Sequence, residues 1–282
     1  GAEHSGNVFG GCMGRLTLLD GSTINPQWAL LAQADSAAIT IDTESGIATI
    51  HGNVYGGSAL GNTNWAHETN EPNESNETKV NLYGGTINGN VFGGGLGRKA
   101  AEGVEAVESF VGGDVQVLLD GAKITGNVFG CNNLNGTPKG HVKVWVKRTV
   151  NVDAEKDALK NDDTTPLASR TTYDVAAVYG GGNQADYVPT DATLVTTEGE
   201  EGYDADNQAK VDNARAEVLI EGCDATSIEY VYGGGNAAAV PATEVTINSC
   251  YIIDKVFGGG NGAGEGNPVA DVGIVDRTLY AD

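Results

Sequence analysis

The sequence predicts an all-β chain, a single-stranded right-handed parallel β-helix of about eight coils with loop or short-helix insertions. Three observations carry that prediction. A Val, then a Phe or Tyr, then a glycine recurs seven times in 282 residues, and short alternating runs rich in Val and Ile precede the better copies. The smallest interval between successive aromatics is 25 residues. That is too short for a four-stranded propeller blade of roughly 40 residues but enough for one turn of a parallel β-helix.

The aromatic copies are "SGNVFGGCMG" from residue 5, "IHGNVYGGSALG" from 50, "INGNVFGGGLG" from 87, "ITGNVFGCNNLNG" from 124, "VAAVYGGGNQA" from 175, "IEYVYGGGNAA" from 228 and "IDKVFGGGNGAG" from 253. The slot holds Phe9, Tyr55, Phe92, Phe129, Tyr179, Tyr232 and Phe257, although aromatics make up only 6% of the chain. A coil cannot bury its apolar side alone, so equivalent rings should stack on one another one coil away. The glycines that follow allow positive φ or close backbone approach.

The runs "KVNLYGG" at 79, "VQVLLDGA" at 115, "AEVLIEGC" at 216 and "TEVTINSC" at 243 alternate apolar and polar residues, with "GRLTLLDGS" at 14 as a further copy. This is the pattern of a half-buried strand. Four residues beyond the aromatic stand Asn133, Asn183, Asn236 and Asn261. Asn tolerates turns and bonds nearby backbone, so these four should form a stack that satisfies backbone groups at the bend.

The repeats resemble the single-stranded right-handed β-helix proteins of the pectin-lyase-like class, in particular bacterial cell-surface and adhesin-like proteins whose repeats end in "VFGGG" or "VYGGG". The resemblance covers nearly the whole chain outside its insertions. It implies an extracellular or cell-surface location and says little about activity, because the class holds polysaccharide-cleaving enzymes, adhesins and passive stalks.

Residues 1–282 read as one domain, and both ends fall inside a repeat, so a segment of a longer repeat protein is expected. Insertions occupy 25–38, 62–78, 98–113, 151–172 and 184–216, and stretches 101–111 and 205–217 are rich enough in Ala, Glu and Lys for a helical turn or two. Insertions of this kind commonly build a binding face. "NESNET" at 73 carries overlapping Asn-x-Ser/Thr signals, which mark a surface loop.

A net charge of −22 argues against a nucleic-acid partner, and no stretch approaches the apolar length of a membrane span. His4, His51, His67 and His141 are scattered, and Cys12 and Cys131 lack paired spacing, so neither a metal nor a cofactor is expected. Cys223 and Cys250 occupy equivalent slots; two buried thiols are expected, with a bridge as the alternative.

One strand stands out. In "HVKVWVKR" at 141, alternation puts Val142, Val144 and Val146 on one face and Lys143, Trp145 and Lys147 on the other. An outward indole between two ammonium groups suits a sugar ring bearing a carboxylate. Alternatively, the insertion that follows covers Trp145 and pairs the lysines with Asp153, Glu155 and Asp157. Cleavage chemistry would need two close carboxylates, and in the row Asp20, Asp120 and Glu221 the positions Tyr83 and Asn248 intervene. The expectation is a non-enzymatic adhesin-like protein that binds a surface glycan or a host or matrix protein through its insertion-bearing face. A β-helix polysaccharide lyase or hydrolase, and a passive stalk, are the alternatives.

Overall fold

A computed structural model describes residues 6–14, 17, 23, 32–42, 48–149, 173–190, 209–210, 214–222 and 225–262. The chain is all-β with mainly parallel strands, and Ala209 and Lys210 are its helical residues among those described. The aromatic repeats supply a seven-stranded sheet of Val8–Phe9, Val54–Tyr55, Val91–Phe92, Asn127–Phe129, Val175–Tyr179, Ser227–Tyr232 and Ile252–Phe257. The alternating runs supply a six-stranded sheet of Ala38–Ile41, Glu77–Leu82, Asp114–Asp120, Val142–Arg148, Arg215–Ile220 and Ala242–Ile247. Thr49–Ile50, Thr86–Ile87 and Lys123–Ile124 form a third sheet of three strands.

Pairing joins equivalent residues of successive repeats. Phe92 is in register with Tyr55 on one side and Phe129 on the other, and Val144 with Val117 and Val218. This arrangement is compatible with a β-helix or another solenoid. Neighbouring residues on a strand face opposite ways, so each Val-aromatic pair splits between two layers. Val54, Val91, Val128, Val178 and Val231 join the main core with Val80, Val117, Val144 and Val218. The rings behind them form a cluster of their own, in which Tyr55, Phe92 and Phe129 are buried.

Two different demands explain the glycines. A Cβ on Gly56, Gly93, Gly130 or Gly180 would overlap the carbonyl oxygen of the equivalent glycine one repeat on, so the slot directly after the aromatic has no room for a side chain. Gly14 and Gly97, at the far end of their corners, have φ of 73° and 65°, a backbone conformation that glycine adopts without steric cost.

Sequence and structure differ at the insertions. Residues 101–111 are not helical: Arg98 and Val107 exchange backbone hydrogen bonds, as do Ala101 and Val104, and Gly103 turns the chain with φ of 69°. Val111 then pairs with the backbone of Thr137, and extended pairing of this kind outweighs the weak helical preference of Ala and Glu. Of 205–217, Ala209 and Lys210 are helical, but Arg215 onward is strand because it pairs with Val142–Arg148. The 62–78 insertion contains an antiparallel hairpin, Trp65–Ala66 against Glu71–Pro72, and Gln33–Ala34 pairs with Asn62–Thr63. The insertion at 151–172, the first half of that at 25–38 and most of that at 184–216 lie outside the described residues.

Buried polar groups fasten the insertions to the repeats. The Ser109 hydroxyl donates to the carbonyls of Ser58 and Gly61 at 3.0 and 2.7 Å, and the Asn132 amide donates to the carbonyl of Ser109 at 2.6 Å. Tyr187, buried beside Val111, Val142 and Cys131, donates its hydroxyl to the carbonyl of Gly140 at 2.7 Å. A buried polar group left unpaired is costly, so these bonds fix the loop positions. Among the described residues no helix is long and apolar enough to cross a membrane. Cys12, Cys131 and Cys250 are free thiols; Cys131 is buried, Cys250 is half-buried, and Cys223 lies outside the described residues.

Candidate functional site

The stack of rings runs unbroken through the seven strands. Centroids of Phe9, Tyr55, Phe92, Phe129, Tyr179, Tyr232 and Phe257 follow one another at 4.7, 4.9, 4.9, 4.7, 4.8 and 5.0 Å, with planes 4° to 12° apart. Strand spacing sets these distances, and successive rings are worth about 0.5–1.5 kcal/mol per pair beyond their buried area. Burial pushes the Tyr55 hydroxyl up and that of Tyr179 up to about 12.

Beside the rings, Asn133, Asn183, Asn236 and Asn261 bond amide to amide. Each of the last three donates its Nδ2 to the Oδ1 of the one before, at 2.9, 2.8 and 2.9 Å, and Asn133 donates to the Tyr55 hydroxyl at 2.9 Å. The partners of these side chains are therefore other side chains, where the sequence suggested backbone groups. A second row, Asn7, Asn53, Asn90 and Asn127, precedes the aromatic: the backbone N–H of Asn53, Asn90 and Asn127 each donates to the Oδ1 one repeat back, at 2.8, 2.7 and 2.8 Å. Sequence reasoning passed over it, although the dipeptide Gly-Asn before four of the aromatics was its signal. Both rows tie equivalent residues of successive repeats to one another.

On the outward side of the six-stranded sheet, Val142, Val144 and Val146 are buried, and Lys143, Trp145 and Lys147 lie on the opposite face of the strand. Leu118 and Leu219 are the Cα partners of Trp145 on either side, so an apolar row crosses three strands. The Trp145 indole N–H donates to a Glu221 carboxylate oxygen at 2.8 Å, and Lys143 pairs with Glu217 at 2.6 Å. Lys147 stands over the ring with its ammonium 4.1 Å from the centroid. Hydrogen bonds from Trp145 and Asn248, assisted by the two lysines, hold the Glu221 carboxyl below its usual range. The partner of Lys143 thus comes from the neighbouring strand and that of Lys147 is the Trp145 ring, while Asp153, Glu155 and Asp157 lie outside the described residues. The indole is held at its N–H by Glu221 and covered on one face by the Lys147 ammonium.

In the acidic row, Asp120 pairs with Arg148 at 2.7 Å and Glu221 with Trp145, while Asp20 lies outside the described residues. No three His, Cys, Asp or Glu side chains come together among the described residues in a way that could hold a metal ion.

Clefts open where the insertions meet. One of about 360 Å³ lies between Gly61 and Asn62, where one insertion begins, and Ala106, Val107 and Phe110 of the next. A second, about 480 Å³, shares Glu108, Phe110 and Asn135 with it and continues to Gln184 and Asp186. A third, about 420 Å³, shares Lys139 with the second and is lined by Glu74, Asp114, His141, Thr190 and Lys210. Three of the five insertions therefore build one run of adjoining clefts. Phe110 lies between Trp65, whose ring centroid is 5.7 Å away, and the Lys139 ammonium, 4.7 Å from its own. No residue of these clefts was singled out from the sequence, because the loops that form them have no repeat to align.

A scan against protein-family models finds no match for this chain, and searches of curated proteins and of solved structures find none either.

Proposed function

We propose that this chain is a right-handed parallel β-helix of the bacterial cell-surface, adhesin-like kind, working outside the cell as a non-enzymatic binder of glycan or protein. The single observation that carries the reading is the run of adjoining clefts along the insertion-bearing side, since concave surfaces built by insertions on a rigid repeat scaffold are where such proteins bind. The scaffold supplies rigidity through stacked rings and amide rows, and the loops supply recognition. The Lys143, Trp145 and Lys147 face is a second contact surface on the same molecule.

A polysaccharide-cleaving enzyme is supported less well, because Asp120 and Glu221 are each engaged by a neighbour and stand two strands apart. A glycan-array screen of the intact chain, run beside Trp145→Ala and a Phe110→Ala variant, tests the proposal. Binding that weakens on Phe110→Ala supports the insertion side; binding that weakens only on Trp145→Ala moves the site to the strand face. No binding to any glycan or matrix protein leaves a passive stalk as the better reading.

A further inference from the structure

Lys139 occupies an unusual place. It is half-buried, it lines two of the three clefts, and its ammonium lies 4.7 Å over the Phe110 ring. No carboxylate among the described residues is within ion-pair distance of it; Glu108 is near enough to act on it only through its field. Burial accordingly pulls the Lys139 ammonium below the usual lysine range, with Glu108 opposing. A partly desolvated cation without a bonded anion is a place where an anionic ligand group gains a charge-assisted hydrogen bond.

The surroundings narrow what that is. The cleft of about 420 Å³ beside Lys139 is lined by Glu74, Asp114, His141, Thr190 and Lys210, with Pro189 as its largest apolar side chain. The large apolar side chains of the run, Val107, Phe110, Leu134 and Val188, belong to the other two clefts, so a protein partner anchored by apolar contacts would seat there rather than beside Glu74 and Asp114. Hydroxyl-rich ligands use carboxylates as acceptors and ammonium or imidazole groups as donors, and here the two kinds are interspersed. The run of clefts is also elongated, crossing repeats from Asn62 to Lys210. The chain's overall charge of −22 would repel a polyanion at long range, but repulsion is screened beyond about 8 Å at physiological salt, so the charges lining the clefts decide, and there the ammonium groups of Lys99, Lys139 and Lys210 stand among the carboxylates of Glu74, Glu108, Asp114 and Asp186.

We propose that Lys139 receives the carboxylate or sulfate group of an acidic polysaccharide lying along the insertion clefts. This rests on the binding role proposed above and names the ligand class for it. Phe110 and the Lys139 stem form one wall, and the Gly140 carbonyl, held by Tyr187, fixes the backbone next to the charge.

Titration calorimetry tests it with short oligosaccharides in matched pairs: dextran sulfate against dextran, and alginate against carboxyl-reduced alginate. Wild type is expected to bind at least one acidic member more tightly than its neutral partner. Lys139→Gln should weaken that binding about tenfold or more, with unchanged thermal melting and unchanged affinity for neutral sugars, and Lys139→Arg should restore most of it. Loss only with alginate assigns a carboxylate, and loss only with dextran sulfate assigns a sulfate. Equal binding of the acidic sugars by wild type and Lys139→Gln overturns the inference, as does a preference for the neutral members; in both cases the glycan-binding reading itself stands. No binding of any of the four overturns the inference, and the glycan array described above then decides the glycan reading separately.

Discussion

Phe92 and Phe129 are 37 residues apart in sequence, yet their ring centroids lie 4.9 Å apart with planes 5° from parallel. Phe92 is fully buried and carries Tyr55 on its other face. Phe92→Ala should therefore cost about 3–5 kcal/mol, since the strand pairing on both sides prevents the gap from closing. Urea unfolding measures this; a loss below about 1 kcal/mol would show that the stack contributes little.

The glycine after the aromatic gives a sharper test, because the same repeat position predicts opposite results. A Cβ on Gly93 would overlap the Gly130 carbonyl and press on Val115, so Gly93→Ala should destabilise by about 1–3 kcal/mol or more. Gly258 has nothing within 4 Å of such a Cβ, and Gly258→Ala should be neutral within about 0.5 kcal/mol. Equal effects of the two substitutions would refute close approach as the reason for these glycines.

Asn183 donates to Asn133 and accepts from Asn236. Asn183→Asp removes the donor and sets a carboxylate against the Asn133 oxygen, costing about 1–3 kcal/mol at neutral pH. The folded protein should raise the introduced carboxyl above its unfolded value of about 3.9, because only the protonated form can donate. The variant should then approach wild-type stability below about pH 4 and lose ground as pH rises. A deficit that does not change with pH would contradict the amide-to-amide pairing.

Alkaline stability should be limited by tyrosines. Burial raises Tyr55, Tyr187 and Tyr232, and Tyr179 to about 12, while the unfolded chain ionises near about 10. A raised folded value means stability that is complete below about pH 10 and lost as pH climbs toward about 12. Tyr179→Phe should move the midpoint of alkaline unfolding upward, as read by far-ultraviolet circular dichroism. An unmoved or lowered midpoint would assign the transition to other groups.

At the strand face, Trp145→Phe deletes the donor to Glu221. The Glu221 carboxyl should then titrate closer to its ordinary range while Asn248 and the lysines keep it below that range. A carbon-detected NMR titration reads this directly, and an unchanged Glu221 would mean that the indole bond is not made in solution.

The parallel strands and the positions of the rings were legible in the sequence because repetition multiplies a weak signal: one "VFGG" means little, and seven aligned copies define a register. Alternation around Trp145 was legible for the same local reason, as Val142, Val144 and Val146 mark the buried side. The partners of that face, Glu217 and Glu221, were not, since they lie on and just after a strand more than 70 residues away whose offset only pairing reveals. Residues 101–111 misled because propensity counts composition, whereas the backbone of Val111 found a partner in Thr137. The clefts were illegible because Lys139, Phe110 and Glu74 come from loops of unequal length, and nothing in their spacing says that they converge.

The amide row from Asn133 to Asn261 has a direction. Every Nδ2 points toward the preceding repeat and every Oδ1 toward the following one, so the side-chain dipoles add head to tail, ending on the Tyr55 oxygen at one limit and on the Asn261 Oδ1 at the other. Aligned amides polarise one another, which makes each bond stronger for the presence of the next. Removing Asn183 thus weakens more than the two bonds it makes, and the coupling measured between Asn133 and Asn236 in a double-mutant cycle should be larger than contact between them could explain.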